Sequence, residues 1–411
     1  MIFRLFSAAS LALVLLTDST HANGKGKGKG KGHDAISDGE AFNAGQGNGN
    51  GNGNGNGNGA IFNDDAFTAE QGNGNGYGNG NGNGNGFVDD EDIDDYINYK
   101  GFGAKNDDEF VGIIVKYKDG IGRNDADKLD KNGKGRDIST RQRTAVITTK
   151  KKNFNALRNN PHIERVEYDS VVHAFPSMRG SVADGERERR LQENVPYGIN
   201  MVNPEGLPQG SHPVKVCVVD TGYDNSHEDL PKLQTTDGFN PYSDGAWDVD
   251  GHGHGTHCAG TIGAIGGNGK GVTSVNPDYS KFSFFIGKGL EDDGSGFTSR
   301  VLAAVDKCAE NGAKIISMSL GGGSYSIEAA EQYERHYEND GVLIIAAAGN
   351  YGNSSYGYPA SYKYVMSVAA VDMNKNKAVF SQFNNQIEIA APGVSVKSTL
   401  PGNAYASWSG T

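Results

Sequence analysis

Between Asp250 and Gly260 the chain reads Asp-Gly-His-Gly-His-Gly-Thr-His-Cys-Ala-Gly, with His252, His254, His257 and Cys258 close together. Glycines between such residues allow backbone angles and close approaches that other residues resist, which suits a tight turn against a ligand. Histidine is the side chain that exchanges protons near neutral pH. A metal cluster would call for Cys-x2-Cys or His-x3-His spacing, and neither is present. The stretch therefore reads as a general base opening a helix. That chemistry needs an acid and a nucleophile from elsewhere. Cys258 is a poor nucleophile candidate, because it falls inside the predicted helix rather than at its exposed start.

An acid follows the apolar run Val214 to Val219, a buried-strand pattern ending in Asp220-Thr221-Gly222. A carboxylate at the carboxyl end of a parallel strand lies where open α/β sheets place their sites. An aspartic protease would also carry Asp-Thr-Gly, but it needs two carboxylates sharing a proton. No second Asp-Thr-Gly or Asp-Ser-Gly occurs, and that reading leaves the His254 stretch unexplained. Two further blocks complete the pattern, Ser317-Met318-Ser319-Leu320-Gly321-Gly322 and Ala347-Ala348-Gly349-Asn350. With Val219 to Gly222 and His254 to Gly260, these resemble the subtilisin-like serine proteases, nearest the proteinase K branch, in order and in approximate spacing.

The resemblance implies acyl transfer by an activated serine. His254 would be the general base, and Asp220 would hold its tautomer and stabilise its charged form. Asn350 would donate to the oxyanion formed on the scissile carbonyl. Ser319, Leu320 and Gly321 would present backbone to an extended peptide, by strand addition. Ala348 and Gly349 would line the other wall of the first specificity pocket. Their small size suggests room for a sizeable apolar side chain. His257 is expected to be structural, and His252 has no assigned role. Cys258 stands where the proteinase K branch carries a free cysteine.

No cofactor is expected for the chemistry, but the resemblance implies a structural calcium site at Asp229 and Asn268. The loop Ile265 to Val272 departs from the family pattern, being one residue longer with Gly-Lys in its apolar part. Oxygen ligands of this kind suit a hard cation. A larger departure lies at the end, where Ala404 to Thr411 matches the approach to the family's Gly-Thr-Ser-Met-Ala motif. The nucleophile would be the residue after Thr411, since Ser407 and Ser409 both precede the Gly-Thr. Residues 1–411 are therefore expected to have almost no protease activity alone, with an incomplete core.

The surrounding pattern must supply a scaffold for these groups. Strand-like runs at Lys281 to Ile286, Lys314 to Leu320, Val342 to Ala348, Tyr364 to Val371 and Ile387 to Ala391 alternate with helices. One helix is predicted from a cap at Thr298 or Ser299 to about Asn311, another over Ile327 to Glu338. Such alternation predicts an α/β fold, a subtilisin-like parallel sheet with helices on both faces, over residues 195–411. Ahead of it, residues 109–176 read as a small α+β domain. Strands are predicted at Phe110 to Tyr117 and Thr144 to Thr149, a helix at Asn153 to Asn160, and one half-buried strand from Ile163 to Phe175. This unit resembles the family's inhibitory propeptide, which implies an intramolecular inhibitor occupying the cleft until cut. Residues 177–194 form a charged processing linker with Arg189-Arg190, and Val195-Pro196-Tyr197-Gly198 resembles the start of mature subtilisins.

Composition bounds the rest. The 411 residues contain 61 glycines and 36% hydrophobic residues, fitting a globular part preceded by low-complexity sequence. Residues 23–108 hold Gly-Lys and Gly-Asn repeats, which bury too little to offset their ordering entropy and read as a disordered spacer. Residues 1–22 carry Arg4, an apolar run and a small-residue end, the pattern of a secretory signal. A secreted, extracellular protein is expected, with no membrane contact after signal removal. The net charge of -12 argues against nucleic acid as the main partner. The expected partners are protein or peptide substrates and the chain's own propeptide, with the enzyme a monomer. Three cysteines leave at least one unpaired, and spacing alone does not decide whether Cys217 and Cys308 bond. The rival reading is a catalytically inactive secreted peptide-binding or matrix protein with a truncated protease domain.

Overall fold

The computed structural model describes residues 107–175, 178–179, 193–204, 213–241 and 245–411. The predicted signal, the glycine-rich region to residue 106 and most of the 177–194 linker lie outside the described residues.

The first elements are β1 (Phe110–Tyr117), α1 (Gly120–Leu129), β2 (Arg136–Ser139), β3 (Thr144–Lys150), α2 (Phe154–Arg158) and β4 (Ile163–Tyr168). Their strands form an antiparallel sheet ordered β2-β3-β1-β4. Helix α1 has no counterpart in the sequence reading, because two glycines and two aspartates blur its apolar face. It starts on the Asp119 carboxylate, which accepts from Gly122 N at 2.9 Å, a capping bond typical of Asp. Successive strand side chains point to opposite faces. Ile113, Val115 and Ile147 thus form this unit's own core with Ala126 and Leu157. Ile114 and Val146, together with Ile138, join a second apolar cluster described below.

Next come β5 (Val171–Ala174), β6 (Met178–Arg179), α3 (Tyr197–Val202), β7 (Val214–Asp220), β8 (Gly238–Phe239), α4 (His254–Gly263), β9 (Phe282–Lys288), β10 (Ser295–Phe297) and α5 (Thr298–Glu310). They are followed by β11 (Ile315–Met318), β12 (Leu320–Gly321), α6 (Ile327–Glu338), β13 (Leu343–Ala347), β14 (Val365–Val371), β15 (Ile387–Pro392), β16 (Val396–Leu400) and β17 (Ala404–Ser409). Seven strands form one sheet ordered β15-β14-β13-β11-β7-β9-β8, parallel throughout. Both faces are covered. Val216, Val218, Phe284 and Ile286 pack with Cys258 and Ile262 of α4. Cys217, Val219, Phe285 and Ile316 pack on the other face with Val301, Leu302 and Tyr333 of α5 and α6. Apolar runs without polar alternation are what a strand buried on both faces requires. Cys217 and Cys308 are disulfide-bonded, their Cα atoms 5.9 Å apart, which ties β7 to α5. Cys258 is free and buried.

Two sequence expectations need correction. The single strand predicted over Ile163 to Phe175 is broken at Asp169 and Ser170, giving β4 and β5 in different sheets. The cause is Asp169, which accepts from Ser299 N at 2.9 Å and Ser299 Oγ at 2.6 Å. The second correction follows from the first. Neither Thr298 nor Ser299 caps α5; the N-cap position is Phe297, which makes no side-chain cap bond. The hydroxyls instead donate outward, Thr298 Oγ1 to Ser170 O at 3.2 Å. The helix is capped from outside by Asp169. Glu167 acts similarly at α6, accepting from Glu328 N at 3.1 Å, beside the helix's own Ser326 cap. Carboxylates are favoured at helix N-termini, where unpaired N–H groups gather.

Arg165 adds ion pairs to Glu331 and Glu328, each at 2.8 Å, and Lys116 pairs with Glu331 as well. Burial pushes the Asp169 carboxyl up to about 6 and that of Glu328 up to about 7, and it raises Glu167 too. Glu331, against the effect of burial, is held at about 2 by Arg165 and Lys116. A carboxyl with a raised pKa in the docked state holds its proton more tightly there. Docking of the small sheet on α5 and α6 is therefore strongest at about pH 5, where Glu331 is still charged, and it weakens as pH rises through 6 to 7. Hydrogen exchange of the β5 amides, corrected for intrinsic rate, should show less protection at about pH 8 than at about pH 5. Equal or greater protection at the higher pH would overturn this.

Candidate active site

The parallel order of β7, β11 and β13 brings the predicted blocks to one edge, since each lies at a strand's carboxyl end. Asp220 ends β7 and is fully buried. His254 opens α4, and its Nδ1 lies 2.7 Å from Asp220 Oδ1. The same carboxylate oxygen accepts from Thr221 N at 2.8 Å. Burial opposes a charged imidazole here, but the adjacent Asp220 carboxylate outweighs it, so the His254 pKa stands well above its usual value. This polarity suits a base that must become transiently cationic.

The approach of α4 to β7 depends on a residue the sequence reading passed over. Asp250 is buried and accepts four hydrogen bonds from two elements. Its Oδ1 takes Thr221 Oγ1 and Gly253 N, each at 2.8 Å. Its Oδ2 takes Thr256 N at 2.8 Å and Thr256 Oγ1 at 2.6 Å. It thereby caps the start of α4 and fixes the turn after Asp220. The signal was present as an Asp preceding a helix start, but four residues upstream rather than at the cap position. Gly255 completes the fit, because a Cβ there would lie 2.2 Å from Gly222 O. Lys288 is a second omission: buried, it donates to Thr221 O at 2.6 Å and pairs with Asp292 at 2.7 Å.

His257 lies one turn along, its Nε2 3.1 Å from Ala406 O, stacked on Trp408 at 4.7 Å. Burial lowers its pKa to about 4, so it is neutral at physiological pH. Cys258 Sγ is 3.8 Å from His254 Nδ1. Asp220, His254 and Cys258 thus converge, but the Asp220–His254 contact already uses the imidazole nitrogen facing them.

Asn350 follows β13. Its Oδ1 accepts from Thr411 N and Thr411 Oγ1, each at 3.0 Å, while its buried Nδ2 has no partner. A cavity of about 30 Å³ is bordered by His254, Ser319, Thr411 and Phe175. Ser409 also borders it, but its Oγ accepts from Ser395 N at 2.9 Å. Ser319, Leu320 and Gly321 stand opposite β5, with Leu320 paired to Ala174 and Gly321 to His173. Ala348 and Gly349 belong to the chain leading to Asn350. Ala348 N bonds Val368 O, and Gly349 N bonds Thr411 Oγ1 at 3.1 Å.

Asp229 and Asn268 meet each other and are not among the residues lining this cavity. Asp229, buried, accepts from Asn268 Nδ2 at 2.7 Å and from Val272 N at 2.9 Å. Burial pushes its carboxyl up to about 6, and the nearby Glu193 carboxylate adds to the rise. Glu193 takes Gly267 N of the same loop at 2.9 Å. The nearby Lys270 amine pairs with Glu228 instead, at 3.1 Å. Two carboxylates and an amide around one loop fit a hard cation in type. In this arrangement the Asn268 amide faces Asp229 with its nitrogen.

Comparison with known proteins shows the family to which the chain belongs. The sequence profile described as "Subtilase family" matches residues 211–411. Subtilisin DY of Bacillus licheniformis is 40% identical over 226 residues, covering 53% of this chain and 80% of that protein. Subtilisin E of Bacillus subtilis (strain 168) is 34% identical over 280 residues, 65% of this chain and 66% of that one. Among solved structures, the psychrophilic subtilisin-like protease Apa1 from the Antarctic psychrotroph Pseudoalteromonas sp. AS-11 is 40% identical, with a TM-score of 0.46 over 52% of this chain and 51% of its own. Among the described residues no helix is long and apolar enough to cross a membrane. The chain belongs to the subtilase family, and residues 211–411 carry its peptidase homology.

Proposed function

We propose that the protein is a secreted serine endopeptidase precursor working by a Ser-His-Asp mechanism, its nucleophile lying beyond Thr411. The observation that carries this reading is the buried Asp220–His254 pair opening on the same cavity as Thr411, while the Asn350 amide nitrogen nearby has no partner. His254 takes the serine proton as Oγ attacks the scissile carbonyl, then delivers it to the leaving amine. Asp220 steadies the imidazolium between the two transfers. Asn350 Nδ2 is free to donate to the developing oxyanion. The backbone of Ser319 to Gly321 binds the peptide as an added strand. Residues 109–176 act as propeptide, with β5 lying along that edge.

The test is a serine-directed phosphonate probe applied to the product of the complete reading frame after propeptide removal. The labelled peptide should map past Thr411, and His254→Ala should abolish labelling. Labelling at Ser407 or Ser409 would overturn the assignment. Absent labelling with retained peptide binding would favour the non-catalytic peptide-binding alternative.

Calcium at Asp229, Asn268 and Glu193 is part of the same proposal, as a clamp on the 265–272 loop. Saturating calcium should raise Tm by about 5–10 °C over chelated protein. Asp229→Asn should remove that difference. A Tm unaffected by chelation would exclude the site.

A further inference from the structure

Lys288 ends β9 and stands opposite Asp220, the last residue of β7, in parallel register. Alternate residues of a strand share a face. Lys288 therefore follows Phe284 and Ile286, and Asp220 follows Val216 and Val218, on the face that packs against α4. An ammonium on that face needs partners, because Lys288 is only 7% exposed. It has three. Nζ donates to Thr221 O at 2.6 Å, to Val249 O at 3.1 Å and to Asp292 Oδ1 at 2.7 Å, which uses all of its N–H groups. Thr221 follows the acid, and its own N–H is held by Asp220 Oδ1. Val249 precedes Asp250, which caps the helix that His254 opens. Asp292 lies in the segment between β9 and β10. That segment makes two further links: Leu290 N donates to Asp220 O at 3.1 Å, and Gly251 N to Asp292 Oδ1 at 3.3 Å. Two glycines permit the close approach. A Cβ on Gly222 would lie 2.6 Å from Val249 O, and one on Gly251 would lie 2.4 Å from Asp292 Cγ. At its far end the same segment offers Gly294 O, which accepts from Ala174 N at 2.7 Å, so its outer edge receives extended main chain.

We propose that Lys288, with Asp292 as its counterion, is a positioning residue for the reaction, an assignment that rests on the protease reading above. Its ammonium locks three pieces of chain into one unit: the turn after Asp220, the approach to His254, and the 289–294 segment beside the peptide-binding edge. Lys288 touches neither substrate nor serine in this role. It fixes where the Asp220 carboxylate meets the His254 imidazole. A neutral side chain at 288 leaves the carbonyls of Thr221 and Val249 without this donor, and the acid's turn and the base's approach then shift independently. A misplacement of about 1 Å costs about 10²-fold in rate. The loss falls on kcat rather than KM, because the Asp220–His254 pair acts in the transition state and not in ground-state binding.

The experiment uses protein from the complete reading frame after propeptide removal. It measures kcat per probe-labelled serine, KM, and the low-field proton resonance of the Asp220–His254 hydrogen bond, which needs no substrate. Lys288→Met should lower kcat by at least about tenfold while KM changes by less than about threefold. The resonance should broaden as that proton exchanges faster with water. Asp292→Ala removes a mostly exposed side chain and should lower kcat by at least about threefold, with the same broadening. In the double variant the losses should be less than multiplicative, since both substitutions break one link. A folded Lys288→Met with a smaller loss of kcat, or with an unchanged resonance, would overturn the assignment even if its Tm fell, because a merely structural role predicts that result. Strictly multiplicative losses would overturn it equally. If Lys288→Met does not fold, Asp292→Ala decides by the same two readings against its own expectation. If wild type neither hydrolyses peptide nor takes the probe, the protease reading fails, and this assignment with it. Every other overturning result requires active wild type, so the two failures are distinct.

Discussion

Asp220→Asn should lower kcat of the full-length protease by about 10⁴-fold, with KM nearly unchanged. Asp220 makes no contact with substrate in the mechanism above; it acts through His254. Its Oδ1 accepts from both His254 Nδ1 and Thr221 N. Asparagine can keep that oxygen in place only by setting its amide where Oδ2 now lies, a buried position with no hydrogen-bond partner. A flipped amide would instead face His254 Nδ1 with a donor and force the wrong tautomer. In either case the negative charge is gone, and the imidazolium loses its stabilisation in a buried site. The pH profile gives a second readout. The adjacent carboxylate holds the His254 pKa well above its usual value despite burial, so removing it should move the acidic limb of kcat to lower pH. An unshifted limb, or a loss below about tenfold, would mean that Asp220 does not govern His254.

Asn350→Ala should lower kcat by about 10²–10³-fold, the size known for such a donor in subtilisin, a relative of this chain. The two ends of the side chain differ, because its oxygen holds Thr411 N and Oγ1 while its nitrogen is unpartnered. Alanine removes both. Asn350→Asp separates them, since it keeps an acceptor for Thr411 and loses the donor. If the nitrogen serves the oxyanion, the Asp variant should be as impaired as the Ala variant, with substrate affinity retained. Near-normal kcat in the Asp variant would reduce Asn350 to an anchor for Thr411.

The two cores of the large unit explain why its fold was legible. Runs such as Val216 to Val219 have apolar residues at successive positions, and the structure uses alternate ones on opposite faces. A helix boundary was also legible, as at Ile327–Glu338 for α6. The small unit was harder. Helix α1 depends on the Asp119 cap and on packing of Ala126 against its sheet, and hydropathy alone weighs neither strongly. The break at Asp169 was invisible, because its cause is a hydrogen bond to Ser299, 130 positions away.

By itself the sequence determined the family pattern, the positions of Asp220, His254 and Asn350, and the parallel α/β class. Those are local facts, written in residue types and in the spacing of strands whose ends converge once the sheet is parallel. Tertiary structure alone decided what joins them. Asp250 bridges the Asp220 turn to α4, Cys217 bonds Cys308, and Asp169 caps a helix that was expected to cap itself. Each of these depends on which groups meet after long stretches of chain close, and burial then sets their strength. The register of β5, which places Phe175 beside the cavity, is of the same kind. Its partner strands lie more than a hundred residues downstream, and no local pattern encodes that pairing.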